Sequence, residues 1–515
     1  MNVDFSEGNR HSVFWSCFMA IAATAAVFSV RGLVMPQWEA EFGLTKTQMG
    51  ELGGVGLWPF AVSIVLFSLV IDRIGYGKAM LFAFVCHVVS TVILLNATGY
   101  WGLYFGTFLV SLGNGAAQAV ADPVVASMYT KDKTKWLNIL HASWPGGMVV
   151  GGLGAIVLSS IDFGVTVDDR IVYLDWRWPV AALFVPIIIY GVLMIGRKFP
   201  VHERVSAGVS YRDMLKETGG LGMFLVSVLM FAELARVFDV NWIYSVGAAF
   251  AASLTFGIYA RSLGNPMFLL LLVLMVPLAT TELGTDSWIT SLMEVPMKQL
   301  GVHAGWVLVY TSLIMMGLRF CAGPVVKLLS PIGLMVISCS LAGLGLVALS
   351  KAEGVGILLA ATLYGVGKTY LWPTVLGIVA ERFPRGGALS LNVISAVGMM
   401  SVGVVGMVFM GMVQDHKVDA LLKTEQPTIY QQVVVRKQSV MGEYSAADPE
   451  KVKLLSEKEQ NIVKELTFVA NKDALLVTAV LPAFMLFGYL CLWIYFNASG
   501  GYVAVHLTKD AHKQE

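Results

Sequence analysis

The chain has 515 residues, 57% hydrophobic and only 13% charged, with a net charge of +1 and a mean hydropathy of +0.72. A soluble globular chain carries about a quarter charged residues, so this composition points to a membrane protein. The near-zero net charge and the lack of a basic patch interleaved with aromatics give no case for nucleic acid as a partner.

The N-terminal stretch "MNVDFSEGNRHS" has no basic n-region, so the first apolar run is read as a retained helix. A bilayer-spanning helix needs about 20 mostly apolar residues. Runs of that kind lie near 13–34, 50–71, 78–97, 101–128, 136–160 and 178–196. Two shorter ones, near 221–236 and 240–259, come next, the first interrupted by Glu233 and Arg236. Six more lie near 266–290, 304–323, 331–350, 356–380, 388–413 and 473–496. The expectation is an all-α membrane protein of about fourteen helices. It divides into a six-helix bundle over 1–200, a linker with two extra helices over 201–262, and a second six-helix bundle over 263–515. The middle pair reads either as two spans or as an amphipathic hairpin at the interface.

Basic residues recur at Arg73/Lys78, Lys131/Lys133/Lys135, Arg197/Lys198/Arg204, Arg261, Lys327 and Arg382/Arg385, which all fall on one side if every span crosses. The positive-inside rule then places both termini in the cytoplasm, in a plasma or bacterial inner membrane. Residues 414–472 form a long polar segment on the opposite side, with Val452, Leu455, Ile462, Leu466 and Val469 at helical spacing. The five cysteines all sit in apolar runs without CxxC or CxxH spacing and read as buried small hydrophobes, so no metal site is expected.

"SLVIDRIGYGKAM" between the second and third runs resembles the signature loop of the major facilitator superfamily, G-x-x-x-D-R-x-G-R-R/K. Asp72, Arg73, Gly75 and Lys78 match it; Ser68 stands at the first glycine and Gly77 in the basic stretch. The resemblance implies two six-helix bundles, secondary transport, and a gating role for Asp72, Arg73 and Gly75. "TTELGTDSW" in the seventh long run and "LNILHASWPGG" in the fifth are similar to the fucose and glucose proton-symporter branch. In the second half "GPVVKLLSPIG" keeps Gly323 but puts Lys327 at the aspartate position. The glycines of "PGGMVVGGLGA" predict a close helix approach.

"YGVGKTYLWPT", residues 364–374, ends like a P-loop, yet Thr362 stands where the first glycine is needed and no strand-to-helix turn is signalled. Lys368 is therefore read as a cavity lysine. Ionisable side chains at membrane depth are costly and are functional candidates by default. Rise per residue places Glu282 and Lys368 at similar depth, which predicts a Glu282–Lys368 pair. Glu282 is the expected proton-coupling carboxylate, with Asp122 and His141 a second pair in the first half. The alternative for each is a static bridge between helices. Asp286 lies one turn beyond Glu282 and reads as hydrated. Candidate solute-binding residues are Lys368, Trp372, Asn114, Gln118, Trp288 and Arg31; the tryptophans can stack on a sugar ring, and Arg31 attracts an anion or snorkels to headgroups. Pro373 should kink its helix.

These features predict a transporter of a small polar solute, a sugar, coupled to protons by alternating access. It acts as a monomer in the lipid bilayer and needs no cofactor. Such a protein should have a central wet cavity lined by spans 1, 4, 5, 7 and 10, and a closed, dry bundle would count against transport. Transport of a sugar acid or another organic anion is the alternative, and a non-transporting sensor on the same fold is a second one. No HExxH or G-x-S-x-G motif supports an enzyme.

Overall fold

The computed structural model describes residues 7–160, 162–167, 170–173, 175–285, 297, 305–354, 356–439 and 442–507. Helix dominates because a backbone in hydrocarbon must satisfy its own hydrogen bonds. The first half comprises α1 (Glu7–Phe42), α2 (Lys46–Val55), α3 (Trp58–Ile74), α4 (Tyr76–Leu95), α5 (Tyr100–Met128), α6 (Lys133–His141), α7 (Ser143–Ser160), α8 (Arg177–Ala182) and α9 (Phe184–Met194). The short α10 (Glu203–Ser206) leads to α11 (Tyr211–Phe238) and α12 (Trp242–Ala260). The second half starts with α13 (Pro266–Ala279), which runs into a π-helical turn, Thr280–Gly284. It continues with α14 (Gly305–Phe320), α15 (Ala322–Leu329), α16 (Pro331–Lys351), α17 (Gly356–Lys368), α18 (Leu371–Arg382) and α19 (Gly387–Ser401).

Among the described residues, 11 helices are long and apolar enough to cross a membrane, or up to 12 if the bent pair Trp306–Phe320 and Ala322–Leu329 counts as one span. The expected count of fourteen is not confirmed. Helix α5 falls outside the set because glycines, Asn114, Gln118 and Asp122 dilute its apolar residues, and α17–α18 falls outside because the rod is broken after Lys368. Both α11 and α12 are among these helices by length and composition. Helix α12 packs on α11 and exposes Trp242, Tyr244, Phe250 and Ile258 on its other side.

The close approach predicted from the glycines is present. A Cβ at Gly151 of α7 would lie 2.8 Å from Ala26 Cα of α1. The two halves meet where α3 packs on α19, α6 on α18 and α7 on α14. Beyond α19 a second π turn, Val402–Gly406, opens α20 (Met407–Glu425), and the chain goes on through α21 (Pro427–Val433), α22 (Pro449–Lys453), α23 (Glu457–Thr478) and α24 (Val480–Ala498). The helix expected near 452–469 is divided: Val452 lies on α22, Leu455 in the turn after it, and Ile462, Leu466 and Val469 on α23, which starts with a Ser456–Glu459 capping box and is joined to α24 through Ala479. Two antiparallel hairpins were not expected: β1 (Asp162–Val167) with β2 (Arg170–Tyr173), and β3 (Val434–Ser439) with β4 (Gly442–Ala447). Helices α20, α21, α22 and α23 bury a small apolar core of their own that includes Val418, Leu422, Ile429, Val463 and Leu466.

Candidate functional site

The π turn that ends α13 carries Glu282, 2% exposed, and π-helical turns recur at functional positions. Its partner is Arg319 of α14, not Lys368. Arg319 Nη2 donates to Glu282 Oε1 at 2.6 Å, and the backbone N–H of Trp372 donates to Oε2 at 2.9 Å. Arg319 is 1% exposed and uses its other edges on two carbonyls: Nε donates to Thr369 at 2.7 Å and Nη1 to His141 at 2.8 Å.

Proline chemistry makes one of these contacts available. Pro373 has no N–H to give to the carbonyl four residues back, which is Thr369. The helix breaks there, between α17 and α18, and Arg319 takes the freed acceptor. The kink expected at Pro373 is therefore a broken rod. Nearby, the Tyr364 hydroxyl meets Thr285 Oγ1 at 2.5 Å and also donates to the Thr281 carbonyl.

In the first half the expected Asp122–His141 pair is present. His141 Nε2 lies 2.9 Å from Asp122 Oδ1, and Gln118 Nε2 donates to Asp122 Oδ2 at 2.6 Å. Asp122 is fully buried. Since Arg319 also holds the His141 carbonyl, the two charged groups are mechanically joined across the halves. They face one cavity, lined by Phe60, Gln118, His141, Trp144, Glu282, Leu283, Arg319, Trp372 and Met399. Its volume is about 20 Å³, room for about one water molecule. The central wet cavity expected from spans 1, 4, 5, 7 and 10 is thus corrected to a narrow one, lined from spans 4, 5, 7 and 10 by Gln118, His141, Trp144, Glu282 and Trp372 and not from α1.

The other sequence candidates divide. Trp372 and Gln118 line the cavity. Asn114 does not: its Oδ1 pairs with His87 Nε2 at 3.0 Å, while His87 Nδ1 meets the Tyr190 hydroxyl at 2.8 Å, so it ties α5 to α4 and α9. Lys368 is fully buried with its ammonium 5.3 Å from the centre of the Tyr364 ring and is not part of the cavity wall. Arg31 is half-buried, with its guanidinium 5.0 Å from the Phe28 ring centre and packed against Gly56, and does not itself line the cavity. Trp288 and Asp286 lie outside the described residues. Arg319 was missed by sequence reasoning, although an arginine inside the apolar run 304–323 was the available signal.

At the basic face, Asp72 accepts from Arg204 Nη2 at 2.5 Å, both groups being buried. Arg73 lies 5.0 Å over the Tyr211 ring. Gly75 has φ +87° and ψ 147°, a region that only glycine adopts readily, which lets the chain turn from α3 into α4. The Arg204 N–H donates to His202 Nδ1 at 3.1 Å, and burial pushes the His202 imidazole down to about 4, so it is neutral near pH 7. Lys133 closes this face between the halves, donating to Glu203 Oε2 at 2.6 Å and to the Ala380 carbonyl at 3.1 Å. Among the described residues no group of three or more His, Cys, Asp and Glu side chains is placed to hold a metal ion.

Comparison with known proteins agrees with this architecture. The sequence profile of the Major Facilitator Superfamily matches residues 17–410. A TsgA homolog of Buchnera aphidicola is 21% identical over 238 residues, 46% of this chain; the match spans 58% of that relative's length. A gentisate transporter of Corynebacterium glutamicum is 23% identical over 388 residues, 73% of this chain and 74% of that protein. The structure of the proton:xylose symporter XylE bound to 6-bromo-6-deoxy-D-glucose superposes with a TM-score of 0.59 at 13% identity, covering 94% of this chain and 95% of that one. The fold is thus shared with known transporters. A signature loop clamped by Arg204, two packed helical halves and a profile match over most of the length lead to one conclusion: this chain belongs to the major facilitator superfamily of membrane transporters.

Proposed function

We propose that the chain moves a small polar solute, a sugar, in company with protons. The observation that carries this reading is the meeting of Asp122–His141 and Glu282–Arg319 at one central cavity, linked by the Arg319–His141 bond. A buried carboxylate is tolerable only while paired. A solute hydroxyl that takes the Arg319 or Trp372 hydrogen bond frees Glu282, and a freed carboxylate in a dry site takes up a proton. Neutralised, Glu282 no longer fixes Arg319, which is then free to release the His141 carbonyl that joins the two halves.

The cavity is too small for a sugar, so it must widen before a solute enters. Trp144 and Trp372 are placed to stack on a ring once the cavity widens. In this reading 1–200 and 263–515 are the moving bundles and 201–262 is an insertion. The protein works as a monomer, with the Asp72 face and both termini in the cytoplasm. Likeness to a proton:xylose symporter supports the sugar. An organic acid is the second reading, favoured by Arg319 in the cavity wall and by the match to a gentisate transporter.

The test is proton flux into proteoliposomes on adding pooled neutral sugars, then pooled sugar acids and carboxylates, with Glu282→Gln as control. Flux with sugars that disappears in the variant supports the proposal. Flux with acids alone moves the reading to anions bound by Arg319. Silence with every pool, in folded protein, overturns proton coupling for these solutes.

A further inference from the structure

On the basic face, between the two halves, lies a crevice of about 310 Å³ that the transport chemistry above does not use. Lys131 and Lys135 line it from the first half, on the turn into α6 and on α6 itself. Lys327 and Ser330 line it from the second half, at the end of α15 and the turn into α16. The C-terminal stretch closes one side through Tyr502 and Ala504.

The charges in this crevice are unbalanced in a specific way. Two carboxylates, Asp132 and Glu381, also line it. Glu381 is already engaged: Oε1 accepts from Thr134 N–H at 3.1 Å and from Thr134 Oγ1 at 2.5 Å, and Oε2 accepts from the Tyr502 hydroxyl at 2.8 Å. Asp132 is exposed. Among the described residues none of the three lysines forms an ion pair with either carboxylate, whereas neighbouring Lys133 does pair, with Glu203. Lys135 is held in place instead of roaming. Its stem runs along the second half, where a Cβ on Gly323 would come 3.3 Å from its Cε, and its ammonium lies 5.2 Å from the Trp136 ring centre.

We propose that this crevice binds a phosphate-type anion, which bridges Lys131 and Lys135 of one half to Lys327 of the other. Ammonium groups are point-charge partners for phosphate oxygens and need no fixed fork geometry. The site exists only while α6 and α15 stay together. An anion bound there favours the form closed at the basic face and opposes its opening, by reciprocal linkage. That consequence rests on the alternating-access reading; binding itself does not.

Purified full-length protein in uncharged detergent is titrated with sodium phosphate, against sodium chloride of matched ionic strength, and thermal unfolding is monitored. The protein is also reconstituted in nanodiscs of phosphatidylcholine with or without phosphatidylglycerol. Wild type is compared with Lys131→Gln/Lys135→Gln/Lys327→Gln, and the three single variants carry the comparison if the triple variant does not fold. A saturable rise in unfolding temperature with phosphate, whose half-point moves about tenfold or more upward in the variants, supports a free phosphate ligand. A rise with phosphatidylglycerol alone, lost in the variants, supports the same chemistry supplied by a lipid headgroup. Equal responses of wild type and variants, or none beyond that of chloride, overturn the site. Failure of the sugar-flux assay leaves this result standing, so the two proposals fall separately.

Discussion

Replacing Arg319 with methionine keeps most of the buried volume and removes the charge. The damage left behind is severe. Glu282, 2% exposed, loses its ionic partner, and the carbonyls of Thr369 and His141 lose donors at 2.7 and 2.8 Å. Breaking one side of a buried pair costs about 3–5 kcal/mol. Each orphaned carbonyl adds roughly 1 kcal/mol, so Arg319→Met should lose about 5 kcal/mol or more. Glu282→Gln is milder, because Arg319 keeps both carbonyls and the Gln oxygen still accepts. The double variant Glu282→Gln/Arg319→Met holds no unpaired charge and should regain about 2–3 kcal/mol over Arg319→Met.

The assay is the half-life of folded protein in detergent at a fixed elevated temperature, since large membrane proteins rarely unfold reversibly. The expected order is wild type, Glu282→Gln, the double variant, then Arg319→Met. An Arg319→Met protein that lives as long as wild type, or a double variant shorter-lived than Arg319→Met, would refute the assignment. Either result would mean that water, and not Glu282, meets the guanidinium.

Acidification should weaken the Asp72 clamp through His202: its folded value is down at about 4 from 6.5, so its contribution is complete above pH 6.5 and is lost as pH falls toward 4. At about 1.36 kcal/mol per unit this amounts to roughly 3 kcal/mol, and His202→Gln should flatten the stability of the protein between about pH 7 and pH 4.5 relative to wild type. Gly75→Ala should cost about 1–3 kcal/mol through its φ of +87° alone, since nothing crowds a Cβ there. Asn should not rescue it, because ψ of 147° lies outside the left-handed helical region, and a Gly75→Asn protein with wild-type unfolding temperature would contradict that strain. Asn392→Ala should cost about 1–2 kcal/mol by leaving the Ala119 carbonyl unpaired, and Pro123→Ala in the same chain should recover part of it by restoring a helical N–H, both read from thermal unfolding.

Much of the site is legible in the sequence because charge in an apolar run is expensive. Glu282, Asp122 and His141 stand out on that ground, and all three belong to the network at the cavity. The Asp122–His141 pairing is readable because α5 and α6 are consecutive, so depth alone brings the two together. Lys368 is not the residue bonded to Glu282 because rise per residue gives depth but not azimuth, and Arg319 of α14 occupies the carboxylate instead. Arg319 escapes because it sits near the end of its run, where a cation reads as a residue snorkelling to the interface. Asn114 and Gln118 are four residues apart and share one face by periodicity, yet Asn114 turns to His87 and Gln118 to Asp122. Only neighbouring helices decide that choice, and a single helix's periodicity does not contain them. The hairpin over 434–447 is hidden inside a polar segment whose only strong signal is the helical spacing beyond it.

Two prolines account for much of this network. Pro123 in α5 frees the carbonyl of Ala119, and Asn392 of the opposite half donates to it at 3.1 Å. Pro373 frees the carbonyl of Thr369, and Arg319 donates to it at 2.7 Å. In each case a missing main-chain bond becomes an acceptor within the membrane, where water is not at hand to fill it. A side chain from another helix must do so. That side chain is then committed: Arg319 cannot leave Glu282 without also straining a bond that exists only because of Pro373, and the Asn392 bond cannot survive separation of α5 from α19. Under the proposed function the polar network is a latch as well as a binding site. Any solute that competes for Arg319 loosens the Glu282 pair, the α17–α18 break and, through the His141 carbonyl, the Asp122 pair in the same step.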